Sequence, residues 1–286
     1  MPDHVLTEEP LQFGAGGRLF GILTTPSEPR RNAQELPVFV FLTAGLLHRV
    51  GPYRLHVRLG RELAQMGFSS LRVDLAGMGD SPPHPGLTYR ESIAADFAEI
   101  LSVLESRLGR PPLVLAGLCT GADNATSLAL REPRVVGMVL LDPICYPDRG
   151  FRARVLIAKY GNPHRYLAWL KRRFKALAQP SVAKPQDEAS VDPLALRDLP
   201  TREQLREAFE LIRERGGCVL SVFTDYARGY YNKSGQLGRS LGVNGYKEFC
   251  TEFYWPETLH TYWLELHRRR LMEEIKTWAG HYLRRA

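Results

Sequence analysis

Long apolar runs are missing from this chain. No stretch reaches the roughly 18–20 consecutive apolar residues that a membrane-spanning helix needs. Cysteine is scarce: Cys119, Cys145, Cys218 and Cys250 lie far apart, with no Cys-x-x-Cys pair among them. That spacing argues against metal fingers, redox motifs and a disulfide-stapled scaffold. Residues 1–10 carry acids and no apolar core, unlike a secretory signal, so the expectation is a cytoplasmic protein with reduced thiols. Internal repeats are lacking too. What is present is ordinary for a soluble domain with a full-sized core: 286 residues, 44% hydrophobic and 24% charged.

The charge is unevenly spread. Lys and Arg outnumber Asp and Glu 38 to 31, for a net charge of +7. Residues 149–175 hold basic side chains and no acid, and Arg268, Arg269 and Arg270 form a second run. A solvated helical face explains such a run, and so does a docking surface for acyl carrier protein, a coenzyme A thioester or another acidic partner. No nucleic-acid motif accompanies the charge, so no nucleic-acid partner is expected.

Short apolar segments alternate with helical spacing. Residues 37–43 are continuously apolar and rich in β-branched and aromatic types, as in a strand buried on both faces. Further strands are predicted over 68–74, 113–118, 135–141, 218–224 and 248–254. Helices are predicted over 55–66, 89–108, 119–130 and 262–283, and a hairpin over 5–25. This rhythm predicts an α/β fold whose central sheet is mostly parallel and flanked by helices. About 75 residues between Asp142 and Cys218 show no strand pattern, and a compact domain does not leave that length structureless. The expected organisation is a core of residues 1–144 and 216–286 with a helical cap inserted over 145–215.

The stretch Gly117-Leu118-Cys119-Thr120-Gly121 follows a predicted strand and opens a predicted helix. This is the Gly-x-nucleophile-x-Gly elbow, with Cys where Ser is usual. Residues two before and two after the nucleophile approach closely, which requires glycine. A thiol raised on such a turn sits at a helix N-terminus, where the dipole favours thiolate. The N–H of Thr120 then faces a developing oxyanion, and a second donor is expected from the loop after the first central strand, at Gly45 or Leu46. In this fold the chain order is nucleophile, acid, histidine. Asp225, at the end of the strand over 218–224, is the expected acid, with Asp142 as the alternative. His260, just before the last helix, is the expected base. His48 and Arg49 could touch substrate, and the glycine-rich turn over 74–81 reads as structural. Neither cofactor nor metal is called for.

With these segments in order, the chain resembles the α/β-hydrolase superfamily. A closer resemblance is to small hydrolases associated with exosortase systems, carried by Arg49-Val50-Gly51, Arg54, the 74–81 turn, Gly117-Leu118-Cys119 and His260-Thr261. The resemblance implies a cysteine hydrolase. The expected activity is cleavage of carboxylic ester or thioester bonds in a small-molecule acyl substrate through an acyl-cysteine intermediate. Alternatives are an acyltransferase or carrier-protein thioesterase using the same triad, and a non-catalytic binding module on a hydrolase fold.

Overall fold

The structure is a computed structural model that describes residues 6–27, 36–45, 47–160 and 199–283. The strands are β1 (Leu6–Phe13), β2 (Leu19–Pro26), β3 (Val38–Leu42), β4 (Ser70–Asp74), β5 (Leu113–Leu118), β6 (Val135–Leu141), β7 (Cys218–Phe223) and β8 (Cys250–Tyr254). They form one sheet in the order β1-β2-β4-β3-β5-β6-β7-β8. β1 and β2 are the antiparallel hairpin expected near the N-terminus, and β3 to β8 run parallel. The described helices are α1 (Leu55–Gln65), α2 (Tyr89–Leu108), α3 (Thr120–Ala129), α4 (Phe151–Tyr160), α5 (Arg202–Glu214), α6 (Gln236–Leu241), α7 (Tyr246–Phe249) and α8 (Glu265–Leu283).

The unbroken apolar run of β3 has a direct structural cause. Val38, Val40 and Leu42 enter one core cluster, while Phe39 and Phe41 enter the other, on the opposite face of the sheet. β5 divides its residues in the same way, so both faces of the central strands are dry. The first cluster is roofed by α2, α3 and α5, through Ile93, Phe97, Ala125, Leu205 and Phe209 among others. The second is roofed by α1 and α8, through Leu55, Leu59, Leu271, Ile275 and Trp278. This covering on both sides is the arrangement of an α/β domain built on a mostly parallel sheet.

Two boundaries move for local reasons. The last helix begins at Glu265 rather than 262, because Tyr262 is buried with φ +52°, which a helix interior does not accept. β8 begins at Cys250 because Tyr246–Phe249 closes a helical turn first.

A larger correction concerns the cap. α5 falls within the predicted cap of residues 145–215, yet it packs as a crossover helix on the sheet. Leu205, Ala208, Phe209 and Ile212 recur at helical spacing and bury into the first core cluster. Thr201 and Gln204 cap its start reciprocally, with Thr201 Oγ1 accepting the Gln204 N–H at 3.2 Å and Gln204 Oε1 accepting the Thr201 N–H at 2.8 Å. Cys145 belongs to the same cluster. Residues 161–198, the bulk of the predicted cap and of its basic stretch, lie outside the described residues.

The basic runs are partly consumed within the fold. Arg154 bonds Asp148 at 2.6 Å and Asn232 at 2.6 Å. Arg268 and Arg269 pair with Glu265 at 2.9 and 2.8 Å. Arg270 pairs with Glu257 at 2.9 Å and lies over the Trp255 ring at 4.1 Å. Hydrogen bonds from Arg58 and Arg269 hold the Glu265 carboxyl well below the usual carboxylate range. Among the described residues, no helix is long and apolar enough to cross a membrane.

Candidate active site

The elbow forms as its glycines demand. Cys119 sits between β5 and α3 with φ +56° and ψ −118°, a conformation that L residues rarely adopt. A Cβ on Gly117 would lie 2.2 Å from the carbonyl carbon of Gly121. One on Gly121 would lie 2.7 Å from the Leu42 carbonyl oxygen, so α3 also presses against the end of β3. The ladder fixes the crest from below, as the Cys119 N–H donates to the Leu141 carbonyl at 2.8 Å. The sulfur is half-buried rather than enclosed.

His260 reaches this sulfur from the loop after β8. That loop is tied down by Trp255 N–H donating to the Phe223 carbonyl at 2.7 Å and Thr258 N–H donating to the Trp255 carbonyl at 2.9 Å. His260 Nδ1 lies 2.7 Å from Asp142 Oδ2. With Nδ1–H donating to that carboxylate, Nε2 is left to exchange a proton with the thiol. Burial pulls the imidazole pKa down, but hydrogen bonds with the Asp142 and Cys119 side chains, and their charges, outweigh it and carry the group up to about 9.

The acid beside His260 is therefore Asp142, the alternative weighed above, and not Asp225. Asp142 follows β6 with φ +49° and is fully buried. Its carboxylate also accepts the Thr224 N–H and the Thr224 hydroxyl, both at 2.6 Å. Asp225, one strand further on, is half-exposed at the start of a 3-10 turn. Its N–H donates to the Thr258 carbonyl at 3.0 Å, and its charge acts on the Tyr254 phenol rather than on His260.

The expected oxyanion donors fare differently. Among the described residues, no acceptor is hydrogen-bonded to the Thr120 N–H, the first of α3. The Gly45 N–H is engaged already, donating to the Thr120 hydroxyl oxygen at 2.6 Å. Leu46 lies outside the described residues. His48 and Arg49 are joined to the turn after β4. Arg49 N–H donates to Asp74 Oδ1 at 2.5 Å, and its guanidinium bonds Asp74, Asp80 (2.7 Å) and His48 (2.8 Å). His48, Asp74 and Asp80 lie close enough together to hold a metal ion, but the Arg49 guanidinium stands among them and supplies the positive charge. Asp74 also accepts the Asp80 N–H at 3.1 Å, which closes the glycine-rich turn on itself.

Two site residues escaped sequence reasoning. Thr224 holds the acid, and Tyr226 stacks on His260 with ring centroids 4.1 Å apart. Their adjacency to Asp225 at a strand's C-terminal end was the available signal.

A sharp strand-to-helix turn at Cys119, set at the C-terminal edge of a mostly parallel sheet covered by helices on both faces, is the arrangement of the α/β-hydrolase fold. Residues 38–212 match the family model described as "Serine aminopeptidase, S33", and the chain belongs to that hydrolase family. Solved structures agree on the fold. The esterase Pf2001 of Pyrococcus furiosus is 10% identical, with a TM-score of 0.56 and coverage of 98% of this chain and 92% of that one. A cold-adapted esterase from an Arctic intertidal metagenomic library is 14% identical, with a TM-score of 0.51 and coverage of 96% and 93%. Protein TT1662 of Thermus thermophilus is 17% identical, with a TM-score of 0.52 and coverage of 96% and 98%. No curated protein matches the chain in sequence.

Proposed function

We propose that the protein cleaves carboxylic ester or thioester bonds of small acyl substrates through an acyl-cysteine intermediate on Cys119. One observation carries this reading: His260 is held between a fully buried Asp142 carboxylate and a thiol on a strained elbow. The raised pKa of His260 favours an imidazolium next to a thiolate, the reactive form of cysteine.

The steps balance as follows. The thiolate attacks the acyl carbon, and the carbonyl π electrons move to oxygen. The Thr120 N–H meets that oxyanion, a contact expected to contribute about 3 kcal/mol to the transition state. Collapse expels the alcohol or thiol, which takes the proton from His260 Nε2. Neutral His260 then removes a proton from water, and the resulting hydroxide attacks the thioester. The acid leaves, Cys119 departs as thiolate, and His260 keeps its proton. Asp142 holds the imidazole in orientation throughout. The closer resemblance through Gly117-Leu118-Cys119 and His260-Thr261 favours the same chemistry.

A series of p-nitrophenyl esters and acyl-coenzyme A thioesters tests this. Cys119→Ala is expected to lower kcat by at least about 10³-fold. Intact-mass measurement of wild type is expected to trap an acyl adduct that Cys119→Ala lacks. Full activity in Cys119→Ala would overturn the reading. Transfer of the trapped acyl group to an added amine or thiol in preference to water would make the protein an acyltransferase with the same triad.

A further inference from the structure

One more polar group stands beside the sulfur. Tyr226 lies in the turn Asp225–Gly229 after β7, and both sides of that turn are anchored. Thr224 is bonded through its N–H and its hydroxyl to Asp142, the Asp225 N–H donates to Thr258, and Ala227 is fully buried. The Tyr226 ring lies nearly flat on the His260 imidazole, with planes 22° apart, and its hydroxyl oxygen accepts from the Cys119 thiol across 4.0 Å, a contact whose direction reverses once the sulfur is a thiolate. The phenol thus spans the face of the imidazole and finishes at the reacting atom.

Other ionisable groups face this point from neighbouring elements, and the buried Tyr262 phenol feels the Asp142 charge. His260 comes from the loop after β8, with Asp142 behind it. Asp123, one turn along α3, faces the β6 loop instead, accepting the Ile144 N–H at 3.4 Å. A phenol ordinarily keeps its proton up to about pH 10. Towards a thiolate it therefore acts as a donor, and its ring covers the imidazolium with a face that attracts cations.

We infer that Tyr226 is a catalytic residue whose hydroxyl donates a hydrogen bond to the Cys119 thiolate. The inference rests on the acyl-cysteine reading above and adds a group to it. Charge leaves the sulfur when the acyl group arrives and returns when deacylation expels it. A donor fixed at this position stabilises the thiolate in the resting enzyme and again as it departs.

The test uses alkylation of the full chain by iodoacetamide, followed at Cys119 by mass and blanked with Cys119→Ala. Tyr226→Phe keeps the stacked ring and removes only the hydroxyl. The midpoint of the acid limb of the alkylation profile is expected to rise by about one unit, and kcat to fall about tenfold with KM little changed. Tyr226→Leu removes the ring as well, and is expected to draw the alkaline limb down from the His260 value of about 9. A wild-type midpoint and kcat in Tyr226→Phe would overturn the inference. Alkylation needs no substrate, so this result stands apart from the fate of the hydrolase reading, which is decided by hydrolysis in Cys119→Ala.

Discussion

Two aspartates end neighbouring strands of the same sheet and have opposite surroundings. Asp142, after β6, is fully buried and accepts three hydrogen bonds, from the Thr224 N–H, the Thr224 hydroxyl and His260 Nδ1. Asp225, after β7, is half-exposed and contributes its N–H rather than its carboxylate to the loop beneath His260. Both stand at the sheet's C-terminal edge, where catalytic loops gather. What separates them is the set of donors the fold turns towards each. A buried carboxylate is tolerable only when its oxygens are occupied, and Asp142 has that provision.

The contrast is sharpest in turnover. Asp142→Asn is expected to lower kcat by about 10³- to 10⁴-fold, because the imidazole loses the acceptor that sets its tautomer. Asp225→Asn is expected to stay within about twofold of wild type. Steady-state kinetics on one p-nitrophenyl ester checks both. Equal losses in the two variants would erase the distinction.

The next effect is in the pH dependence of stability. His260 holds its proton more tightly in the folded protein, at about 9 against 6.5 for an unperturbed histidine. Its ionic contribution is therefore complete below about pH 6.5 and is lost as pH rises through about 9. In urea unfolding, the stability gap between wild type and Asp142→Asn should be widest near pH 6 and narrow towards pH 9.5. Asp225→Asn should show no such trend.

A smaller effect separates the two hydrogen bonds of Thr224. Thr224→Val keeps the N–H and removes only the hydroxyl that donates to Asp142. About 1 kcal/mol of stability should be lost, with a few-fold fall in kcat. Chemical denaturation beside the same ester assay measures both.

Much of the fold was legible from spacing alone. The strand rhythm, the hairpin and the elbow each follow from short-range rules: apolar runs, turn glycines and the steric crush around Cys119. His260 could be found because it lies between the last strand pattern and the last helix. The carboxylate beside His260 has no such marker, since Asp142 and Asp225 both follow parallel strands and nothing in the local sequence records which of them Thr224 will face. α5 is different, because its signal was present. Leu205, Ala208, Phe209 and Ile212 spell a sheet-facing stripe, but it falls in the long strandless stretch that reads as cap. The engagement of the Gly45 N–H by Thr120 joins residues 75 positions apart and has no local signature.

The segment that matches the hydrolase family, residues 38–212, carries the sulfur and the aspartate but stops well short of His260. The imidazole of the proposed mechanism is delivered by the β8–α8 unit, whose loop is hung from β7 through the Phe223 carbonyl and the Asp225 N–H. A cut after β7 would remove both that imidazole and the Thr224 donors that hold Asp142. On the proposed mechanism, docking of β8 and its loop is therefore the step that arms the thiol, by adding the imidazole to a crest and a carboxylate laid down earlier in the sheet.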